Sequence, residues 1–306
     1  MNKKLLIGTR DSQLAIWQAT RVQNLLLNLD VKSELVLIKT EGISDLTKPL
    51  YEMGIQGIFT KSLDIALLRG EIDVAVHCMK DVPTSLPQGI CQGAVLTRGP
   101  SQDVILSKRP IKEFKNASSI ATGSLRRKAQ WLSRFPRHKI FQIRGNINTR
   151  IDKLEQSNWD AVIFAKAALE RLSISAHYIT LLDWMIPAPA QGAIMIAVKS
   201  EDKAIKKLLA PLNDKKSEIC TKIERDFLSA LEGGCTAPIG ALAAFEGTQI
   251  SFTGGVFSLN GDDKKIITKK FNQSQCPSIG IRIAEDLLVM GGDKLMSDFK
   301  KNKNVL

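Results

Sequence analysis

The run LLIGT at residues 5–9 is short, largely apolar and followed at once by an arginine, the pattern of a buried strand. DSQLAIWQATRVQNLLLNL comes next with apolar positions at helical spacing. It predicts a helix capped by Asp11 or Ser12, with Leu14, Trp17 and Leu25 on its buried stripe. SELVLIKT predicts a second strand, TKSLDIALLRG a helix after a glycine-punctuated loop, and IDVAVHC a strand running into MKDVP. Strand and helix in alternation predict a parallel α/β sheet.

From about residue 98 the pattern restarts. DVILSK and SSIATG read as strands, SLRRKAQWLSRF as a helix, KIFQIRG as a strand, NINTRIDKLEQS as a helix, and DAVIFA as a strand leading into AALERL. PAPAQGAIMIAV then reads as a linker into one more strand, placed to return to the first unit; two such crossings would give two lobes hinged about a cleft. The last third changes character. DKKSEICTKIERDFLSALEGG is helical and stops at Gly233 and Gly234. TQISFTGGVFSLNGDDKKIITKKF alternates and turns at Asn260-Gly261, and SIGIRIAEDLLVMGG is a closing amphipathic helix. The expected division is an α/β domain over 1–95 and 191–212, a second α/β domain over 96–190, and a small α+β domain over 213–306.

Composition changes this picture little. The chain of 306 residues exceeds one ordinary hydrophobic core, and 44% hydrophobic with 24% charged residues is the balance of a soluble globular protein. No run approaches the roughly 18–20 apolar residues of a spanning helix, and Gly8, Arg10 and Asp11 break up what would otherwise resemble a signal peptide, so a cytoplasmic location is expected. Five cysteines without a CxxC pair suggest neither a disulfide framework nor zinc. The net charge of +12 calls for an anionic partner or a generally basic surface. The lysines are spread along the chain with no nucleic-acid-binding motif, so nucleic acid is not the expected partner.

The arginines are placed more tellingly. Arg126 and Arg127 fall in the first turn of a helix after Thr122-Gly123-Ser124, where free backbone N–H groups already favour anions. Arg144 follows KIFQI directly, Arg150 lies where the next helix opens, and Arg10 stands beside Ser12 in the corresponding place of the first unit. Strand ends in open α/β sheets line ligand crevices, and guanidinium groups bind carboxylates or phosphates bidentately. A set of surface arginines with no shared ligand is the competing reading. In HCMKDVP, Asp81 follows a buried strand beside Lys80. It suits proton transfer or stabilisation of a cation, and equally a turn-forming role. His77 reads as a packed histidine. Cys235, in LEGGCTAP, is a loop thiol just past a helix end, open to an electrophile although the helix terminus does not favour a thiolate.

Taken together, GTRDSQLAIWQA, HCMKDVP, TGSLRRKAQW, IRGNINTRIDKL, AALERL, PAPAQGA and LEGGCTAPIG resemble, in order and spacing, the hydroxymethylbilane synthase (porphobilinogen deaminase) family. The resemblance implies two lobes like those of periplasmic binding proteins plus a small α+β domain, and a dipyrromethane cofactor held by a thioether to Cys235. It implies that four porphobilinogen molecules lose ammonia and couple head to tail onto that cofactor, and that hydrolysis releases the linear tetrapyrrole. The resemblance implies that neither metal nor nucleotide is required; no nucleic-acid or membrane partner is expected, and the chain is expected to be a monomer.

By the same resemblance Asp81 is the catalytic acid/base, facing an azafulvene cation. Arg10, Ser12, Lys80, Ser124, Arg126, Arg127, Arg144, Arg150 and Arg171 bind cofactor and substrate carboxylates, and Phe59 and Gln191 belong to the cover loop and cleft. Glu41, Ile43, Glu52 and Gln56 depart from the family pattern in that loop, and Gly123, Cys78 and Ala190 replace residues often Ser, Ser and Gly. A two-lobed anion-binding protein without turnover and a catalytically degenerate homologue are the alternatives.

Overall fold

The computed structural model describes residues 4–39, 60–115, 117–176, 178–234, 237–275 and 277–303. Its strands, in chain order, are β1 Leu5–Thr9, β2 Ser33–Leu37, β3 Val74–Cys78, β4 Ile90–Val95, β5 Asp103–Ser107, β6 Ser119–Ala121, β7 Lys139–Phe141, β8 Ala161–Ala165, β9 Tyr178–Leu182, β10 Ile194–Lys199, β11 Ile239–Glu246, β12 Gln249–Phe257 and β13 Lys264–Asn272. The helices are α1 Gln13–Leu27, α2 Lys61–Arg69, α3 Leu125–Arg134, α4 Ile147–Gln156, α5 Lys166–Arg171, α6 Lys203–Leu209, α7 Lys215–Ala230, α8 Ile279–Leu287 and α9 Asp293–Lys303.

The chain divides into two compact units, and among the described residues it passes from one to the other between residues 99 and 100, 191 and 192, and, within α7, 219 and 220. Unit 1 is built on a five-stranded sheet in the order β2-β1-β3-β10-β4. Strands β1, β2 and β3 are parallel, whereas β10 runs antiparallel to both β3 and β4. The sheet is therefore mixed rather than parallel, because the strand that returns from residue 194 enters in the opposite sense. Ile7, Val22, Leu26, Val74, Val76, Ile196 and Val198 form its core; full burial of each such side chain stabilises by about 1.5–3 kcal/mol.

Helix α1 buries Ala15, Ala19, Val22 and Leu26, one residue round from the expected stripe, and Trp17 is exposed. The small alanines let the helix axis approach the sheet, which leaves the bulky indole on the outer side.

Unit 2 holds a second five-stranded sheet in the order β7-β6-β8-β5-β9, with β6, β7 and β8 parallel and β5 antiparallel to β8 and β9. It also holds the antiparallel sheet β11-β12-β13. The expected turn at Asn260-Gly261 joins β12 to β13, and Gly261 takes φ +81°. A Cβ at Gly261 would lie 2.7 Å from the Leu132 carbonyl carbon, so glycine lets this hairpin tip rest on the α3 backbone. Strands β4, β9 and β11 were not expected from the sequence pattern. No helix among the described residues is long and apolar enough to cross a membrane.

Candidate active site

In unit 1, β1 and β3 are parallel neighbours, so their C-terminal ends lie on the same edge of the sheet. Beyond β1 come half-buried Arg10 and then Ser12, whose hydroxyl accepts from the Ala15 N–H at 3.3 Å and caps α1. Beyond β3 the chain makes a single 3-10 turn, Met79–Asp81. Met79 N–H donates to the Ala193 carbonyl at 3.0 Å, Val82 N–H to Met79 at 3.2 Å, and both apolar side chains are buried. Anchoring on either side leaves Lys80 and Asp81 between them, both half-buried. His77, four residues earlier, is buried; loss of solvation, with the nearby Arg10 cation second, pushes its pKa down to about 4. It is a neutral packed imidazole at neutral pH, as its sequence position suggested.

In unit 2 the same edge of the sheet carries the ends of β6, β7 and β8. Ser124 caps α3 by accepting from the Arg127 N–H at 3.4 Å. Gly123 packs so tightly that a Cβ would sit 2.6 Å from the Ile143 carbonyl oxygen, so a larger residue here would require the backbone to shift. Asn146 caps α4 through the Thr149 N–H at 2.9 Å, and Arg150 Nε donates to the Gly145 carbonyl at 2.8 Å, which ties the guanidinium to the loop that presents Arg144. Arg144, Arg150 and Arg171 are all half-buried, the last at the end of α5.

Arg126 and Arg127 behave differently. They are only 4% and 6% exposed and close on Asp103, which is 0% exposed. Arg126 Nη1 donates to Asp103 Oδ2 at 2.7 Å and to the Ile186 carbonyl at 2.8 Å. Arg127 donates to Asp103 Oδ1 from Nε at 3.0 Å and Nη2 at 2.7 Å, and to the Ile163 carbonyl at 2.9 Å. Gln191, assigned to the cleft by resemblance, is fully buried and donates from Nε2 to the Ser101 carbonyl at 2.6 Å and to Asp103 Oδ1 at 3.0 Å. Burial by itself would raise the Asp103 pKa; the two guanidinium charges and the hydrogen bonds overcome it and hold the carboxyl well below the usual range.

Sequence reasoning missed Asp103. It opens β5 opposite Ala165, the last residue of β8, and no local pattern links it to arginines 23 and 24 positions later. An adjacent arginine pair with no acidic residue nearby in the helix was the available signal.

Cys235 and Phe59 lie outside the described residues, as do Glu41, Ile43, Glu52 and Gln56 of the expected cover loop. The chain leading to Cys235 is defined. After α7, Gly233 N–H donates to the Leu228 carbonyl at 3.0 Å and Glu232, not a glycine, takes the left-handed conformation at φ +51°. Among the described residues no group of three or more His, Cys, Asp or Glu could hold a metal ion.

Two mixed sheets, each with cationic residues beyond the C-terminal ends of parallel strands, define an α/β protein. The chain belongs to the porphobilinogen deaminase family. Residues 5–207 match its dipyromethane cofactor binding domain and residues 218–289 its C-terminal domain. The porphobilinogen deaminase of Chlorobium phaeobacteroides (strain BS1) is 39% identical over 313 residues, covering 98% of this chain and 99% of that one. That of Syntrophomonas wolfei is 37% identical over 305 residues, covering 98% and 100%. Among solved structures, the methionine binding protein MetQ covers 68% of this chain and 89% of its own at 12% identity and a TM-score of 0.44.

Proposed function

We propose that this chain is a hydroxymethylbilane synthase, a transferase that condenses four porphobilinogen molecules with loss of ammonia and releases the linear tetrapyrrole. The observation that carries this reading is full-length membership of the porphobilinogen deaminase family combined with a half-buried Asp81 and Lys80 at the end of β3. Porphobilinogen and its oligomers are polyanions, and the donor set fits them: Arg10 and Lys80 beyond the strands of unit 1, Arg144, Arg150 and Arg126 beyond those of unit 2. The same donors fit the carboxylates of a dipyrromethane. When bound, that cofactor supplies the pyrrole carbon from which the chain grows, and Cys235 is the residue we assign to hold it.

Asp81 takes up and returns the substrate's pyrrole N–H proton and balances the positive charge that develops as ammonia leaves. Met79 and Val82 hold its turn in place, so the carboxylate is oriented before substrate arrives, which is where electrostatic catalysis gains most. Lys80 and the arginines orient the substrate carboxylates. We assign Ser12 and Ser124 a supporting part as the caps that set their helices. We further read residues 1–95 with 191–212, residues 96–190 and residues 213–306 as three functional domains, and the protein as a cytoplasmic monomer. Light scattering in solution tests the last point.

The intact mass of the purified protein beside its Cys235→Ser variant tests the central reading. The wild type is expected to carry two pyrrole units that the variant lacks, and to gain further units on incubation with porphobilinogen. A folded wild type whose mass porphobilinogen leaves unchanged would overturn it, in favour of a binding protein or a degenerate homologue.

A further inference from the structure

The Asp103 cluster is unlike a balanced structural ion pair. One carboxylate faces two guanidinium groups, so the three charged side chains carry one negative and two positive charges in a buried setting. Arg127 is tied on all three nitrogens, to Asp103 from Nε and Nη2 and to the Ile163 carbonyl from Nη1. Arg126 uses Nη1 alone, on Asp103 and Ile186, so its Nε and Nη2 are not part of the cluster. Asp103 accepts on both oxygens, and Gln191 donates to the oxygen that Arg127 also bonds while gripping the Ser101 carbonyl. The Nε/Nη2 edge of a fixed guanidinium matches a carboxylate in two-pronged geometry.

We infer that Asp103 is a positioning residue: it commits Arg127 to the fold and locks Arg126 so that its Nε/Nη2 edge meets a ligand carboxylate. The two adjacent arginines thus have different parts, one structural and one ligand-facing. This rests on the hydroxymethylbilane synthase reading for the identity of the carboxylate, although not for the geometry.

The test uses succinate as a plain dicarboxylate probe and the Cys235→Ser protein, read by thermal unfolding, so that neither cofactor loading nor turnover enters. Succinate is expected to raise the Tm of this parent by several degrees. Arg126→Lys should abolish the rise. Arg127→Lys should lower the starting Tm yet keep the rise. Asp103→Asn should lower the starting Tm and remove the rise; should it fail to fold, Asp103→Glu keeps the charge but displaces the carboxylate, and should fold with a rise cut at least two-fold. In the Cys235 enzyme, Asp103→Glu should raise KM for porphobilinogen about ten-fold with a smaller fall in kcat. The inference is overturned if succinate leaves the parent Tm unchanged, if Arg127→Lys loses the rise as fully as Arg126→Lys, or if Asp103→Glu matches its parent in both Tm rise and KM. A wild type that never acquires pyrrole mass counts against the function instead, and leaves the succinate result readable.

Discussion

The two five-stranded sheets share one plan, strand for strand: three parallel strands, then two alternating in direction. β1 and β6 each lead through a serine cap into a helix, and the caps bond the third residue on, Ala15 in one and Arg127 in the other. The antiparallel strand begins opposite the end of its neighbour with Ile194 in unit 1 and Asp103 in unit 2. Where unit 1 has Leu14, Ala15 and Ile194, unit 2 therefore has Arg126, Arg127 and Asp103. The same sheet plan carries apolar residues at this corner in one unit and an ion cluster in the other. Replacing buried ion clusters by apolar groups is often neutral, whereas removing one partner costs about 3–5 kcal/mol. The lesson lies in the two aspartates: Asp81 is half-exposed in a turn of unit 1, and Asp103 is sealed in unit 2.

The largest expected effect follows from that contrast. Asp81→Asn should lower turnover by about 10²–10⁴-fold, the usual worth of a positioned acid/base, while shifting Tm by no more than about 2 °C, because a half-exposed side chain carries little of the fold. Steady-state kinetics beside thermal unfolding separate the two. A Tm loss as large as that of Asp103→Asn, or turnover within a few-fold of wild type, would erase the distinction between the aspartates.

Acid should affect the units in different windows. His77 has a folded pKa of about 4 against an ordinary value near 6.5, mainly through burial. A depressed folded pKa means that its contribution is complete above the unfolded value and is lost as pH falls, here between about 6.5 and 4, by on the order of 3 kcal/mol. Burial shifts His138 of unit 2 in the same direction, but it sits only half-buried. Asp103 acts lower still: its stabilisation is present above the ordinary carboxylate value near 3.9 and is lost only in stronger acid. His77→Leu should flatten the denaturation free energy between pH 6.5 and 4; an unchanged slope would show that the imidazole is charged in the folded state.

Much of this was legible in the sequence, because local periodicity reports local structure. β1, α1, β3, β8 and the hairpin at Asn260-Gly261 fall where the pattern put them. The cap of α1 resolved to Ser12 rather than Asp11. What could not be read depends on distant partners. The sense in which β10 enters its sheet is set by β3, more than 110 residues earlier in the chain, and the bonds that Asp103 accepts from Arg126, Arg127 and Gln191 span 23 to 88 residues. The exposed Trp17 misled for another reason: hydrophobicity marks what can be buried, whereas the close approach of α1 to its sheet selected the smaller Ala15 and Ala19.

The smallest effect is expected where the chain leaves unit 2. Ala190 takes φ +60°, fully buried, with its N–H donating to Glu224 Oε2 at 2.6 Å, and Gly192 follows at φ +88°. The left-handed conformation costs a residue with a Cβ about 1–2 kcal/mol, which Ala190→Gly would relieve. Against that, glycine loses about 0.5–1 kcal/mol more conformational entropy on folding, and removing a buried methyl forfeits about 0.8 kcal/mol. The terms nearly cancel, so the variant should unfold within about 2 °C of wild type, which is why alanine can stand where relatives of the family often have glycine. Ala190→Val adds β-branching to the same backbone and should be clearly destabilising. If Ala190→Gly instead raised Tm by more than about 4 °C, the strain at this crossing would be larger than its dihedral angle implies, and unit 2 would be held together at its exit less by packing than by the Glu224 bond.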